Sequence, residues 1–168
     1  LDIGVGSGCL AVVLAKRLPG AQVFGVDPSS SALELAGRNA AKHGVTIILR
    51  QGSLLEPFAG ERFGLIISNP PYIPSADIAG LQPEVRDYEP REALDGGGDG
   101  LDFYRAIISE ATGHLETDGW LLFEVGIGQA QEVVGLFAAN GAFEELFTAK
   151  DPAGIERVVG GKMRSCIG

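Results

Sequence analysis

The sequence predicts an α/β three-layer sandwich on a mostly parallel sheet. Two observations carry this. Short β-branched runs alternate with helix-like runs from one end of the chain to the other. The residues able to do chemistry cluster just after the strand-like runs, where open parallel sheets bind ligands.

The elements follow in order. Leu1-Asp2-Ile3 reads as the last piece of a strand, so the beginning of that strand is expected to lie outside the chain. Gly4 to Gly8 form a turn into a helix over 9–18, which Pro19-Gly20 stops. A buried strand over 22–26 ends at Asp27, and Pro28-Ser29-Ser30-Ser31 supplies N-cap chemistry for a helix over 31–43. Gly44 stands where a C-terminal cap belongs. Strands are predicted over 45–50 and 63–68. An irregular proline-rich stretch runs from 69 to about 99, and loops of that length are usually functional or mobile. A helix over 100–116, a strand over 119–125 and a helix over 129–140 follow, then strands near 143–149 and 156–162. Neither repeats nor a low-complexity segment interrupt the pattern.

Composition bounds the function. The chain has 168 residues, is 45% hydrophobic and carries a formal charge of −9. It can bury a core, and it is a poor generic nucleic-acid ligand, because phosphate contacts need Lys and Arg. Its two cysteines, Cys9 and Cys166, suit a reducing compartment, and Cys9 is expected to pack within the first helix. His43 and His114 are read as solvated helix-end residues, and no metal site is expected. No apolar run is long enough for a membrane span.

The first candidate site is Asp2-Ile3-Gly4-Val5-Gly6-Ser7-Gly8. Glycines let a backbone approach a ligand closely, and a helix N-terminus adds free N–H groups. The dinucleotide fingerprint G-x-G-x-x-G would need glycine at position 9, which is Cys. The G-x-G-x-G spacing of Gly4, Gly6 and Gly8, preceded by an acid, instead resembles the first motif of class I S-adenosylmethionine methyltransferases. Asp27 can accept ribose hydroxyls, for a dinucleotide or for S-adenosylmethionine alike. Asp2 reads either as a contact to the amino end of that ligand or as a carboxylate stabilising the turn. Ser53 stands where the resembled enzymes commonly carry an acid that touches the adenine amino group. Leu54 can pack on adenine or simply in the core.

The second candidate site is Asn69-Pro70-Pro71-Tyr72. Two prolines stiffen the turn and hold an Asn carboxamide and a proline carbonyl as fixed acceptors. Such acceptors suit a planar NH₂ group, whose lone pair is delocalised and must be oriented for methylation. Tyr72 offers a flat apolar wall. The motif is shared by methyltransferases of adenine N6, of guanine N2 and of glutamine.

A longer set of residues narrows this. Asn69-Pro70-Pro71-Tyr72-Ile73-Pro74 is followed by Glu84-Val85-Arg86-Asp87-Tyr88-Glu89-Pro90, Ala93-Leu94-Asp95-Gly96-Gly97 and Asp99-Gly100-Leu101-Asp102. Then come Gly119-Trp120-Leu121-Leu122-Phe123-Glu124-Val125-Gly126, Gln129, Asp151-Pro152-Ala153-Gly154 and Arg157-Val158-Val159. Together these resemble the release-factor glutamine methyltransferases over essentially the whole chain. The resemblance implies a Rossmann-like class I domain over 1–168 with a seven-stranded sheet. It implies an N-terminal helical docking domain that these residues do not include. It implies S-adenosylmethionine at Gly4 to Gly8, Asp27, Ser53-Leu54 and Asn69. It implies a glutamine of a peptide release factor at Asn69 to Tyr72, with Glu89-Pro90 and Gly96 to Gly100 shaping the site. A cytoplasmic, bacterial, monomeric enzyme is the matching expectation. The competing expectations are a nucleic-acid amino methyltransferase and a non-catalytic module of the same fold.

Overall fold

The computed structural model describes residues 1–165; Cys166 lies outside the described residues. Seven strands form one sheet in the order β3-β2-β1-β4-β5-β7-β6. They are β1 (Asp2–Ile3), β2 (Phe24–Asp27), β3 (Ile48–Gln51), β4 (Phe63–Ser68), β5 (Leu115–Glu124), β6 (Phe143–Lys150) and β7 (Glu156–Met163). β1 to β5 pair in parallel, and β7 runs antiparallel between β5 and β6. The helices are α1 (Cys9–Arg17), α2 (Ser30–Lys42), the one-turn α3 (Pro83–Arg86), α4 (Asp102–Ala111) and α5 (Ala130–Asn140).

The two faces of the sheet are covered differently, as the period-2 alternation of β2 dictates. Phe24 and Val26 face the larger core, where α4 and α5 contribute Tyr104, Ile107, Val133 and Phe137. Tyr104 meets Phe123 edge-to-face at 5.1 Å, a geometry worth about 0.5–1.5 kcal/mol beyond its area. Val23 and Gly25 face the other side, where a smaller cluster of Val5, Ala11 and Ala36 ties α1 and α2 to the sheet.

The chain enters the sheet at its centre, moves outward through β2 and β3, then crosses back to place β4 on the other side of β1. This reversal between β1 and β4 is the switch point where such sheets bind ligands. Asp2 pairs with Gly25 and Ile67, and Ile3 pairs with Val26 and Ser68. The C-terminal ends of β1, β2 and β4 therefore lie side by side.

Local chemistry sets the boundaries. Ser29 caps α2, its hydroxyl accepting from the Ala32 amide at 3.3 Å. At the other end Gly44 takes φ 67°, and Gly44 and Val45 donate to Ala41 and Ala40, a Schellman ending. That return occupies the residues before Ile48, so β3 begins later than the β-branched run predicts. α4 stops at Ala111, well short of 116. Thr112-Gly113 ends it, and the fully buried Leu115 already pairs with Phe63 as the first residue of β5. Tertiary pairing overrides the helix-like composition of 115–116. Cys9 is exposed at the start of α1, not packed. His114 is half-buried with Nδ1 3.2 Å from the Glu61 carbonyl oxygen, not solvated at a helix end. Among the described residues no helix is long and apolar enough to cross a membrane.

Candidate active site

A cavity of about 950 Å³ opens above the ends of β1, β2 and β4. That is ample for a nucleoside-sized ligand beside a second reactant. Ile3, Gly4, Gly6 and Ser7 of the first strand and its turn line it, as does Val26 of β2. α2 contributes Ser31, Leu35 and Arg38, and Ser53-Leu54 line it together with Phe103 and Ile107 of α4. Ser68 to Pro71 come from the end of β4, and Pro90, Glu92 and Ala93 reach over from the long loop.

The glycine turn is built from both sides. Gly8 precedes α1 at φ 81°, and a Cβ there would sit 3.0 Å from the Ala36 Cβ, so only glycine lets α1 and α2 approach this closely. Gly4 has φ 70° and lines the cavity; nothing lies within 4 Å of where its Cβ would stand. The space a side chain would fill there is left to the cavity. Of the predicted loop residues, Gly4, Gly6 and Ser7 line the cavity, whereas Val5 is buried against α1 and α2.

Asp27 holds this turn in place. Its Oδ2 accepts the Gly6 amide at 2.9 Å and its Oδ1 accepts the Ser29 amide at 2.9 Å. The carboxylate thus joins the turn to the start of α2, lines the cavity, and keeps a further lone pair on each oxygen.

Asp2 lies behind the turn. It is 2% exposed, and its Oδ2 accepts the Ala11 amide of the first turn of α1 at 3.1 Å. Gly8 brings no side chain to cap that helix, so Asp2 supplies the acceptor from the neighbouring strand. Burial pushes its carboxyl from 3.8 up to about 7, against the pull of the Ala11 amide. Between those values the folded protein binds more protons than the unfolded chain. The contribution of Asp2 to stability is therefore complete below about 4 and is lost as pH rises to about 7. Asp2→Asn keeps an acceptor oxygen without the buried charge. Urea unfolding at pH 5 and pH 8 is expected to show a smaller fall in stability for the variant than for the parent. Equal falls would contradict this.

Ser68 connects the two candidate sites. It is buried, and its Oγ donates to the Ile3 carbonyl at 2.8 Å. The bond fastens the end of β4 to the end of β1, so Asn69 and the glycine turn face one cavity. Asn69 is exposed and Pro70 is buried, and both line the cavity. Tyr72 is packed against the larger core outside the cavity lining, and its carbonyl accepts from Gln129. Ser53 and Leu54 line the cavity and also an adjoining open groove of about 410 Å³. Leu54 has φ 49°, a left-handed conformation costing roughly 1–2 kcal/mol in an L-residue. Strain of this kind concentrates at functional positions.

Several lining residues escaped the sequence reading. Ser68 looked like an ordinary strand end. Phe103 and Ile107 lie four apart on α4, a spacing that a core-facing stripe would show equally. Leu35 and Arg38 lie three apart on α2, a spacing that does not tell a solvent face from a cavity wall.

Known proteins resemble this chain in sequence and in fold. A family model described as Methyltransferase small domain matches residues 1–80. A release factor glutamine methyltransferase from Geobacter sulfurreducens is 61% identical over 97% of this chain and 57% of its own length. A ribosomal protein uL3 glutamine methyltransferase from Bradyrhizobium diazoefficiens is 47% identical over 77% of this chain and 41% of its own. The chain thus spans 57% of the length of the first relative and 41% of the second. A solved ribosomal protein L11 methylase from Lactobacillus delbrueckii subsp. bulgaricus superposes with a TM-score of 0.68 at 23% identity, covering 98% of this chain and 68% of that one. It shares the fold, the Rossmann-like class I S-adenosylmethionine methyltransferase fold. With that fold, and with such identity along nearly all of its length, the chain is similar to these glutamine methyltransferases over the part of them that it spans.

Proposed function

We propose that this chain methylates the side-chain amide nitrogen of the glutamine in the Gly-Gly-Gln motif of a peptide release factor, with S-adenosylmethionine as methyl donor. The observation that carries the reading is the Ser68–Ile3 bond, which sets an Asn-Pro-Pro-Tyr turn and a G-x-G-x-G turn against one cavity.

The residues fit the cofactor. The open space above Gly4 suits a ligand lying on bare backbone, with Gly6 and Ser7 beside it. Asp27 has acceptor capacity left for ribose hydroxyls. Ser53 and Leu54 offer a hydroxyl and an apolar face to the base, and Phe103 stands in the same wall. Asp2 and Val5 serve the ligand through the turn they hold rather than by contact. When bound, S-adenosylmethionine supplies an electrophilic methyl on a sulfonium, already activated by its leaving group.

The remaining work falls to the turn. An amide nitrogen is a poor nucleophile because its lone pair is shared with the carbonyl. The Asn69 carboxamide oxygen and the Pro70 carbonyl accept its two N–H bonds, fix its orientation and favour a more pyramidal nitrogen. Pro71 keeps those acceptors from swinging away. Tyr72 anchors the far end of the turn.

A protein substrate suits a formal charge of −9 better than a nucleic acid does. We read 1–168 as the catalytic domain of a monomeric cytoplasmic enzyme, with part of the release-factor docking surface contributed by residues outside this chain. The test incubates the protein in its full natural length with methyl-labelled cofactor and, separately, a release factor, DNA and RNA. Label in the release factor is expected. Label only in nucleic acid would overturn the substrate while leaving the cofactor reading intact.

A further inference from the structure

The side chain of Gln129 takes no part in the contacts proposed above, yet three segments of the site converge on it. Its Nε2 donates to the Tyr72 carbonyl at 3.0 Å and lies 3.5 Å from the Gly100 carbonyl oxygen. Its Oε1 accepts the Gly126 amide at 3.1 Å. One carboxamide thereby joins the Asn-Pro-Pro-Tyr turn, the glycine-rich stretch 96–100 and the corner between β5 and α5.

The backbone is shaped around this side chain. A Cβ on Gly126 would stand 2.5 Å from Gln129 Oε1 and 2.8 Å from Tyr72 Cδ2. A Cβ on Gly100 would stand 2.8 Å from Gln129 Nε2. Glycine at both places is what lets the three segments close on one amide.

The turn needs such a partner for a chemical reason. Pro70 and Pro71 have no N–H, so the turn cannot be held by its own amides there and must be held through carbonyls. Beyond Tyr72 the chain is fastened to the long loop. Ile73 donates to the Leu94 carbonyl at 3.0 Å, Ser75 to the Gly97 carbonyl at 2.9 Å, and Gly96 back to the Ile73 carbonyl at 2.8 Å. Gln129 ties this assembly to the sheet at the end of β5. The position calls for a group that donates and accepts at once. A carboxylate would set negative charge against two carbonyl oxygens, and an ammonium would leave the Gly126 amide unpaired.

We infer that Gln129 is a positioning residue: its carboxamide clamps the Tyr72 carbonyl and so fixes the direction in which Asn69 and the Pro70 carbonyl face the substrate nitrogen. The turnover part of this rests on the proposed function; the clamp does not. Two variants test it in the protein of full natural length. Q129E keeps the shape and the acceptor but loses the donor, and Q129M keeps the length without either. Hydrogen exchange needs neither substrate nor cofactor. The Ile73 and Ser75 amides are expected to exchange about tenfold faster or more in both variants, with the amides of β1 and β2 unchanged. With release factor as substrate, kcat is expected to fall about tenfold or more while cofactor affinity by calorimetry stays within about twofold.

Unchanged exchange at Ile73 and Ser75 would overturn the clamp. Loss of cofactor affinity in step with kcat would overturn positioning, since a general structural defect would do the same. A wild-type protein that methylates no glutamine would defeat the proposed function instead, and the exchange result would still decide the clamp. Should Q129E fail to fold, Q129M carries the same readouts.

Discussion

Asn69→Ala is expected to lower turnover by about 10²–10³-fold, the size of effect seen when a preorganised polar group aimed at a reacting centre is removed. Asn69 follows β4, whose end is fastened to β1 by Ser68, and its exposed side chain stands on the cavity wall. Alanine leaves the Pro70 carbonyl as a single acceptor, and the amide nitrogen can then rotate. Because Asn69 is exposed, the fold should tolerate the change. Cofactor binding should lose no more than about tenfold, the worth of one ordinary hydrogen bond. Initial rates with labelled cofactor give the first quantity and titration calorimetry the second. Near-parental turnover would remove Asn69 from the reaction.

Asp27→Ala is expected to act in the opposite way. Hydrogen bonds to a charged group contribute about 1.5–3 kcal/mol each, so losing the carboxylate should weaken cofactor binding about 10²-fold or more. Part of that loss arises before any ligand arrives. The Gly6 and Ser29 amides lose their acceptor, and the turn is no longer joined to α2. Thermal stability should therefore fall together with affinity. With saturating cofactor, kcat should recover more fully than in Asn69→Ala, because the Asn-Pro-Pro-Tyr turn lies on a different strand. Unchanged affinity in calorimetry would refute the role of Asp27.

The contrast between these variants reflects how the site is assembled. The glycine turn follows β1, Asp27 ends β2, and the Asn-Pro-Pro-Tyr turn follows β4. The switch point brings them together, and Ser68 fastens them. In the proposed reaction, binding and orientation thus fall to separate interior strands that meet at their C-terminal ends.

Much of this was legible in the residues. The alternation of runs gave the layered fold, and β4 begins and ends where its apolar run does, from Phe63 to Ser68. Glycine spacing pointed to the turn after β1, since bare backbone at a helix start has a local physical cause. Other features have no local signal. Leu115 enters β5 because Phe63 waits beside it, which no property of Leu115 reveals. His114 is half-buried beside the Glu61 carbonyl, a partner far away in the chain. The long loop carries no period, so its passage over the cavity at Pro90 to Ala93 could not be read from its composition. Asp2 could be read in two ways until the position of α1 showed its carboxylate accepting the Ala11 amide. Phe103 shows the same limit from the other side, since an apolar residue on a helix looks alike whether it faces a core or a ligand cavity.

The most direct test of the central claim is the position of the transferred methyl. A release factor incubated with the full-length protein and S-adenosylmethionine would be digested, and the peptide carrying the Gly-Gly-Gln motif sequenced by tandem mass spectrometry. One added methyl is expected on the side-chain amide of that glutamine, accumulating about 10²–10³-fold more slowly when Asn69→Ala replaces the parent. A methyl on any other residue, or an unmodified motif beside methylated nucleic acid, would contradict it.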